Sequence, residues 1–218
     1  TRAINGAVDL LQLQRLNPVR YPMLLQSVAG GNSLSRWDIL FVANGEGLQS
    51  HAGQTSDLAN NPIHLPFLNA LDVEFIAQKS SEQSHLPFIG GWAVYLGYEL
   101  AGQIEQRLDL PKFTGSLPDA LALRCPAAVL YDKHRDEFLA IAESKFEYML
   151  EEIFKDIQSC QISQTFELWP KQTICTEDEP EQFIWSVKRI LDYLKAGDVF
   201  QVNVSRAWQF TLANANNY

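Results

Sequence analysis

The stretch PFIGGWAVYLGYELAGQIE, from Pro87 to Glu105, decides the fold class of this 218-residue chain. Its large apolar and aromatic side chains recur at every second position, which is typical of a β-strand. They are Trp92, Val94, Leu96 and Tyr98. After this run the spacing changes to the helical intervals of Leu100, Ala101 and Ile104. The pattern predicts a buried central strand that turns directly into a short helix.

Glycines and acids accompany this stretch without identifying a reaction. Gly90 and Gly91 precede the strand and Gly97 interrupts it, so these positions indicate tight packing or a close backbone approach. Glu99 and Glu105 stand on either side of the change from strand to helix, a placement that favours a helix cap and a solvated contact over acid–base catalysis.

A hairpin is predicted upstream, where two apolar segments flank a glycine-rich turn. The first segment centres on Met23 to Leu25, and the second reads SRWDILFVA from Ser35 to Ala43. Arg36 and Asp38 flank Trp37, so alternation places both on the face opposite the Trp37 ring. The default interpretation of these two charged residues is a structural ion pair or a contact that anchors the loop.

The remaining periodicity predicts further strands and helices that together indicate an α+β fold. The predicted elements are a strand near Gly47 to His51, a short helix within Leu65 to Ala77, a hairpin formed by Ala120 to Tyr131 and Glu137 to Ala142, and a helix over Phe146 to Ile157. The charged sequence DKHRDE separates the two hairpin runs and predicts their turn. Gln158 to Thr176 is interpreted as a linker or as paired edge structure.

The C-terminal end of the chain has the clearest helix signals. Acids and Pro180 follow Thr176 at the predicted helix start, and Gly197 follows the last periodic apolar residue as a C-terminal cap. A strand is predicted from Phe200 to Leu212, where apolar and polar residues alternate. Its polar face is either solvated or lines a cavity for a polar ligand, and periodicity leaves both alternatives open.

The composition is that of an ordinary globular protein, with 46% hydrophobic and 20% charged residues. A formal net charge of −9 argues against nucleic-acid and anionic-membrane partners, because phosphate recognition requires a basic surface. No apolar run approaches the roughly 20 residues of a membrane-spanning helix, and the N-terminus lacks a signal-peptide pattern. Cys125, Cys160 and Cys175 form no CxxC pattern, so reduced thiols in the cytoplasm are expected.

Motifs that would reveal catalysis are missing from the sequence. It contains no GxSxG, HExxH, GxxxxGK[ST] or strand-associated GxGxxG motif. The histidines are scattered without ligand spacing, so no metal site is predicted from them. From the residues alone, we expect a cytosolic α+β domain with no catalytic residue and no metal ligand.

Three segments, taken in order along the chain, carry a family resemblance. The first is LLQS at Leu24–Ser27, followed by SRWDI at Ser35–Ile39. The second is FIGGWAVYLGYEL at Phe88–Leu100, followed by LPD at Leu117–Asp119, and the third is LKAGDVFQVNVSR at Leu194–Arg206. In this order they resemble the chorismate-utilising enzymes, which include aminodeoxychorismate synthase component I and anthranilate synthase component I.

Within that family, the resemblance favours aminodeoxychorismate synthase component I. Anthranilate synthases usually follow the Arg-aromatic pair with serine, whereas Asp38 follows Arg36 and Trp37 here. Gln26 replaces the glutamate of the family's LLES sequence, which also weakens the anthranilate interpretation. The implied activity is amination of chorismate to 4-amino-4-deoxychorismate, for 4-aminobenzoate and folate, with ammonia from a glutamine amidotransferase subunit. Anthranilate synthase component I, in tryptophan biosynthesis, is the alternative.

The resemblance implies mainly antiparallel sheets packed as a sandwich with peripheral helices. Residues 1–170 would form the N-terminal domain, and residues 171–218 would begin an incomplete chorismate-binding domain. In the family, the catalytic lysine and the Mg²⁺ ligands lie beyond the strand that resembles GDVFQV, so this chain is expected to be C-terminally truncated and inactive alone. We also expect the Pro87–Glu105 strand and the terminal strand to belong to one composite sheet system.

The N-terminal half of the family holds a tryptophan-type effector site, regulatory in anthranilate synthases and often structural in aminodeoxychorismate synthases. Carried over by motif, the site residues are Ser27, Leu34, Ser35, Arg36 and Trp37. A serine hydroxyl and strand-end backbone groups suit an ammonium, and apolar walls suit an indole. A further alternative, from another functional class, is a stand-alone amino-acid-binding module without catalysis.

Overall fold

The computed structural model describes residues 1–28, 35–79, 84–105, 107–108, 117–160 and 173–212 of the chain. They fall into two compact units, Thr1–Ile162 and Ser163–Tyr218. In its described part, the first unit has the strands β1 (Arg2–Ile4), β2 (Met23–Leu25), β3 (Trp37–Val42), β4 (Gly47–His51), β5 (Gln54–Asp57), β6 (Gly91–Leu96), β7 (Ala120–Cys125), β8 (Ala127–Asp132) and β9 (Glu137–Ala142). Its α-helices are α1 (Leu10–Leu16), α2 (Phe67–Gln78), α3 (Ala101–Ile104) and α4 (Tyr148–Ser159). The second unit has β10 (Thr173–Glu177), α5 (Pro180–Ala196) and β11 (Trp208–Leu212).

Two antiparallel sheets form the centre of the first unit. The strand order is β1-β9-β8-β3-β2 in the five-stranded sheet and β5-β4-β7-β6 in the four-stranded sheet. The predicted hairpin of β2 and β3 is present, with Leu25 opposite Ile39. The inner faces meet in a buried cluster that combines Phe41 of one sheet with Ala93 and Cys125 of the other. The expected α+β sandwich of antiparallel sheets is therefore confirmed.

Helices cover the outer face of each sheet. α1 and α4 share one buried cluster with the five-stranded sheet, which includes Leu10, Leu13, Leu40, Val129, Leu150 and Ile153. α2 shares another cluster with the four-stranded sheet, where Phe67 and Ala70 accompany Ala122. The helices predicted within Leu65 to Ala77 and over Phe146 to Ile157 are thus confirmed as α2 and α4. In the described ranges, no helix is long and apolar enough to cross a membrane.

The apolar run Ala120–Tyr131 is two strands, so its prediction as one arm of a hairpin is wrong. The run breaks at Pro126, which has no N–H to donate to a strand ladder. β7, before the proline, pairs with β4 and β6, whereas β8, after it, pairs with β3 and β9. The chain therefore changes from one sheet to the other at Pro126, and the hairpin consists of β8 and β9 alone.

β6 is an edge strand, so the prediction of a buried central strand is also wrong. Among the described strands it pairs only with β7, and its residues Val94, Tyr95 and Leu96 are exposed. Alternation distinguishes the two faces of a strand but carries no information about the number of its hydrogen-bonded neighbours. The predicted turn from strand into helix is confirmed, since a short 3-10 turn at Tyr98–Leu100 leads directly into α3.

The second unit pairs β10 with β11, and α5 connects the two strands. Pro180 begins α5 and Gly197 ends it with a φ of 80°, as predicted. The terminal strand begins at Trp208 and not at the predicted Phe200, because its partner β10 ends at Glu177, opposite Trp208, and the chain then enters α5. β11 and β6 belong to different hydrogen-bonded sheets, which contradicts the expected composite sheet system.

A buried tyrosine fixes the segment before β2 to helix α4. Tyr21 is buried, and its hydroxyl donates to Asp156 Oδ2 at 2.8 Å. Arg20 Nη1 donates to the same oxygen at 2.7 Å. Burial, together with the hydrogen bond to Asp156, raises the pKa of Tyr21, so the phenol remains protonated at neutral pH.

Tyr21→Phe should lower the free energy of unfolding by about 1 to 2 kcal/mol, because Asp156 loses a hydrogen bond while the ring keeps its packing. Urea unfolding followed by circular dichroism measures this loss. Tyr148→Phe, at a tyrosine of α4 that is 58% exposed, is the matched control and should change stability by less than about 0.5 kcal/mol. Equal losses in the two variants would contradict the role assigned to Tyr21.

Candidate functional site

One end of the five-stranded sheet brings the predicted site residues together. β2 ends at Leu25, opposite Ile39, and Ser27 follows shortly after. β3 begins at Trp37, which lies opposite Asp132 at the end of β8. Ser27, Trp37 and the residues that follow β8 therefore lie at the same end of the sheet.

Charged side chains hold both backbone groups of Ser27. The N–H of Ser27 donates to Asp38 Oδ1 at 2.9 Å, and its carbonyl accepts a hydrogen bond from Lys133 Nζ. Lys133 Nζ also lies 2.6 Å from Asp38 Oδ1, so the three groups form a closed triangle. Asp38 is itself buried. The predicted loop-anchoring contact is thus confirmed for Asp38, and the hydroxyl is the remaining polar group of Ser27.

Arg36 forms a two-point ion pair with Asp132. Its Nε donates to Asp132 Oδ1 at 2.9 Å, and its Nη2 donates to Oδ2. Asp132 is buried, and Oδ1 also accepts from the backbone N–H of His134 at 3.0 Å. The hydrogen bond from Arg36 is the main reason that the pKa of Asp132 falls to about 2. The carboxylate is therefore ionised throughout the physiological range of pH.

The expectation that Arg36 points away from the Trp37 ring is wrong. Arg36 Cζ lies 4.7 Å from the centroid of that ring, which is a cation–π contact. Arg36 precedes the first residue of β3, so the alternation of the strand does not extend to it. Trp37 packs against the inner-face cluster that contains Leu130 and Ile141. The guanidinium therefore fixes one side of the Trp37 ring while the sheet supports the other.

The structure brings some of the predicted site residues together, and one of them lies outside the described residues. Ser27, Arg36 and Trp37 lie together at the sheet end, and Ser35 is buried immediately before Arg36 in the chain. Leu34 lies outside the described residues. The side chain of Arg36 is engaged by Asp132, so its role in this structure is to position Trp37.

Sequence reasoning missed Asp132 and Lys133, which hold this end of the sheet together. Asp132 ends β8 opposite Trp37, and Lys133 follows it with its backbone N–H bound to the Arg36 carbonyl, so both lie beside the start of β3. Their charges complement those of Arg36 and Asp38 respectively, which is the signal that could have identified them. Using that signal requires the register of β3 against β8, which the sequence pattern did not provide.

A second candidate site is a cavity of about 680 Å³ beside β6. Its wall includes Arg124, which is 2% exposed and donates to the Gly91 carbonyl at 2.9 Å. Arg124 also donates to the side chains of Gln78 and Glu143. These bonds connect α2, β6 and the segment after β9 to β7, so the role of Arg124 is structural.

The glycine immediately before β6, Gly90, is required by this arrangement. Gly90 has a φ of +132°, which residues with a side chain rarely adopt. A Cβ at this position would also lie 2.1 Å from Glu143 Oε1, and Glu143 is the ion-pair partner of Arg124. The tight packing predicted from the glycines is therefore confirmed at Gly90, and the close backbone approach predicted at Gly97 is confirmed by the Asp119 carbonyl oxygen, which would lie 2.7 Å from an added Cβ.

Cysteines and potential metal ligands are the other groups that could supply chemistry. The part of the chain that the structure describes holds no group of three or more His, Cys, Asp or Glu side chains placed to bind a metal ion. Cys125, Cys160 and Cys175 are free thiols. Burial raises the pKa of Cys125 to about 11, so this thiol remains protonated at neutral pH.

Comparisons with known proteins identify a family. A family model described as chorismate binding enzyme matches residues 24–217 of the chain. Anthranilate synthase component 1 of Synechocystis sp. is 26% identical over 216 residues, covering 85% of this chain and 42% of the relative. The protein of the same name from Acinetobacter calcoaceticus is 25% identical over 207 residues, covering 86% of this chain and 42% of the relative.

A solved structure shows the same fold. Anthranilate synthase component I from Streptococcus pneumoniae TIGR4 matches with a TM-score of 0.56 at 19% identity, covering 89% of this chain and 46% of that one. At this identity the likeness extends to the fold alone. The chain spans less than half the length of the relatives described above.

Gly90→Ala should lower the free energy of unfolding by more than about 2 kcal/mol, because the new methyl group combines an unfavourable φ with a clash against Glu143. Gly53→Ala is the matched control, since Gly53 has a φ of +79° but open space around the new Cβ. The control should cost about 1 kcal/mol. Urea unfolding of both variants provides the comparison, and equal losses would contradict the close approach to Glu143.

Arg36→Met should make stability less dependent on pH in the acidic range. The pKa of Asp132 is lowered from 3.8 to about 2, mainly by Arg36 and in part by the backbone N–H groups of His134 and Arg135. The contribution of this carboxylate to stability is therefore complete above pH 4 and is lost as the pH falls through 2. That shift corresponds to roughly 2 kcal/mol, and the variant should lack most of it at neutral pH. Urea unfolding at a series of pH values between 7 and 2 measures the difference.

The control for this experiment is an exposed ion pair. Lys195→Met breaks the pair of Lys195 with Asp192, where the two charged atoms are 3.9 Å apart and both side chains are 79% exposed. This variant should keep the pH profile of the wild-type chain, because solvent-exposed pairs contribute little. Parallel profiles for Arg36→Met and the wild-type chain would show that Asp132 is not stabilised by Arg36.

Proposed function

The chain belongs to the family of chorismate-binding enzymes, and on this premise we propose that it is the N-terminal portion of an aminodeoxychorismate synthase component I. The complete enzyme would aminate chorismate to 4-amino-4-deoxychorismate, for 4-aminobenzoate and folate biosynthesis. Its ammonia would come from a glutamine amidotransferase subunit. Its catalytic residues and Mg²⁺ ligands would lie in the portion of the relatives that this chain does not span.

The observation that carries this proposal is the aspartate at position 38 together with its contacts. Aspartate after the Arg-Trp pair favours aminodeoxychorismate synthase, because anthranilate synthases usually have serine there. Asp38 is buried, accepts from the N–H of Ser27 and forms an ion pair with Lys133. A serine at this position would be shorter and uncharged, and it would leave Lys133 without a carboxylate. The residue that favours the proposed activity is therefore an integral part of this end of the sheet.

We propose that an effector pocket lies at the same sheet end, lined by Ser27, Leu34, Ser35, Arg36 and Trp37. Ser27 would supply its hydroxyl and Trp37 an apolar wall. Arg36 would fix the Trp37 ring, since its guanidinium is bound to Asp132. The proximity of Ser27 to the β3 strand supports this pocket, because Asp38 in that strand binds the Ser27 backbone.

The proposed domain division places the N-terminal domain at residues 1–170 and the start of the chorismate-binding domain at residues 171–218. The two compact units of the structure, Thr1–Ile162 and Ser163–Tyr218, divide the chain close to this boundary and support the proposal. We place the protein in the cytoplasm, a location that suits three free cysteines.

Anthranilate synthase component I is the second candidate function. The observation that favours it is the name of the curated relatives, two of which are called anthranilate synthase component 1. The two candidate enzymes share chorismate and ammonia as substrates, so their products distinguish them.

With the complete protein, Mg²⁺, chorismate and ammonium, we expect 4-amino-4-deoxychorismate as the product, identified by chromatography and mass spectrometry. A glutamine amidotransferase subunit with glutamine should replace free ammonium in this reaction. The 218-residue chain alone is the control and should consume no chorismate. Anthranilate as the product would select the second candidate, and no consumption of chorismate by the complete protein would reject both.

A further inference from the structure

Lys133 occupies a position that is built to hold a cation. Its Nζ lies 2.6 Å from Asp38 Oδ1 and donates to the backbone carbonyl of Ser27. The Asp38 side chain is 8% exposed, so its carboxylate has little access to water. A carboxylate and a carbonyl that converge on one ammonium are also the groups that recognise the ammonium of a small ligand.

The two acceptors are held in place by contacts that do not involve the Lys133 side chain. The Asp38 carboxylate accepts from the N–H of Ser27 at 2.9 Å, which fixes it beside the Ser27 carbonyl. The backbone N–H of Lys133 donates to the Arg36 carbonyl at 2.9 Å, which fixes the start of the turn after β8. The acceptors should therefore remain assembled when the lysine side chain is removed.

We propose that the ε-ammonium of Lys133 fills an ammonium subsite formed by Asp38 and the Ser27 carbonyl, and thereby excludes the α-ammonium of a free amino acid. A tethered ammonium is present at a high effective concentration, whereas a free amino acid loses translational freedom on binding. A second cation beside Lys133 is also repelled by its charge. The ligand class of this subsite is a primary ammonium compound, and its present occupant is the chain's own lysine.

The regulatory consequence rests on the proposed effector pocket around Ser27. With Lys133 in place, an amino acid in that pocket cannot be recognised through the Ser27 carbonyl. The pocket of this chain would then have a structural role only, and free amino acids would not bind at the ammonium subsite. The subsite itself depends only on the contacts of Lys133, so it can be tested by binding and stability measurements that involve no chorismate.

The first test is rescue of Lys133→Ala in the 218-residue chain by n-butylammonium, a primary ammonium whose four-carbon chain matches that of the lysine side chain. The variant should have a lower thermal midpoint, and n-butylammonium should raise that midpoint and bind at least about tenfold more tightly than to the wild-type chain. Tetramethylammonium, which has no N–H to donate, should have no such effect. Lys155→Ala, at an exposed lysine of α4, should show no rescue by either compound.

The second test uses calorimetry with L-tryptophan. Lys133→Ala should bind it at least about tenfold more tightly than the wild-type chain does, and Asp38→Asn combined with Lys133→Ala should lose the gain. Equal affinities in the wild-type chain and in folded Lys133→Ala would overturn the proposal, as would equal effects of n-butylammonium and tetramethylammonium. These results are independent of the product formed from chorismate, so failure here is distinguishable from failure of the proposed enzyme function.

If Lys133→Ala fails to fold, a measurement on the wild-type chain tests whether the Lys133 ammonium is held in the subsite. Reductive methylation followed by mass spectrometry compares the reactivity of individual lysines. Lys133 should react at least about tenfold more slowly than Lys155, because its ammonium is bound to Asp38 and Ser27. Equal rates for the two lysines would show that the ammonium is not held in the subsite.

Discussion

The first unit depends on the change of sheet at Pro126. A proline cannot continue the ladder, so the chain leaves the four-stranded sheet at Cys125 and enters the five-stranded sheet at Ala127. The backbone N–H of Glu143 donates to the Pro126 carbonyl at 2.8 Å, and the Glu143 side chain binds Arg124. Removing one partner of a buried ion pair typically costs about 3 to 5 kcal/mol. The crossing and the ion pair therefore stabilise each other, and both keep the two sheets face to face.

Strand β8 connects the sheet crossing at Pro126 to the proposed effector pocket and fixes the position of the residues there. It begins at the crossing and ends at Asp132, whose carboxylate binds Arg36. β8 lies between β9 and β3, and its residues Ala127 to Leu130 are completely buried. A strand with two hydrogen-bonded neighbours and two covered faces has little freedom to shift. The same ladder that aligns β3 with β8 therefore sets the position of Lys133 relative to Asp38, and buried polar groups at the strand end find their partners within the chain.

Periodicity predicted the β2–β3 hairpin, α2, α4 and α5, because apolar residues recur in these segments at the intervals of a strand or a helix. It failed at β6 and at the β7–β8 junction, since alternation records neither the number of neighbouring strands nor a change of sheet. β1, with only three residues, is too short to show a period. In the candidate site, sequence reasoning identified Ser27, Arg36, Trp37 and the loop-anchoring Asp38, but not Asp132 and Lys133. Arg36 and Asp132 are 96 residues apart in the chain, so their pairing depends on a register that no local pattern contains.

Side-chain chemistry, rather than the fold, separates the candidate functions of this chain. A structure with 19% identity shares the fold, and one fold supports several activities. Asp38 and Lys133 form a unit within that fold, because a neutral residue at position 38 would leave a partly buried ammonium without a counter-charge. Loss of Lys133 would likewise leave the buried Asp38 carboxylate with only the Ser27 N–H. A substitution of Asp38 or of Lys133 thus leaves the other residue without its ion-pair partner. The aspartate that favours one activity and the lysine that closes the ammonium subsite are therefore linked by a single ion pair.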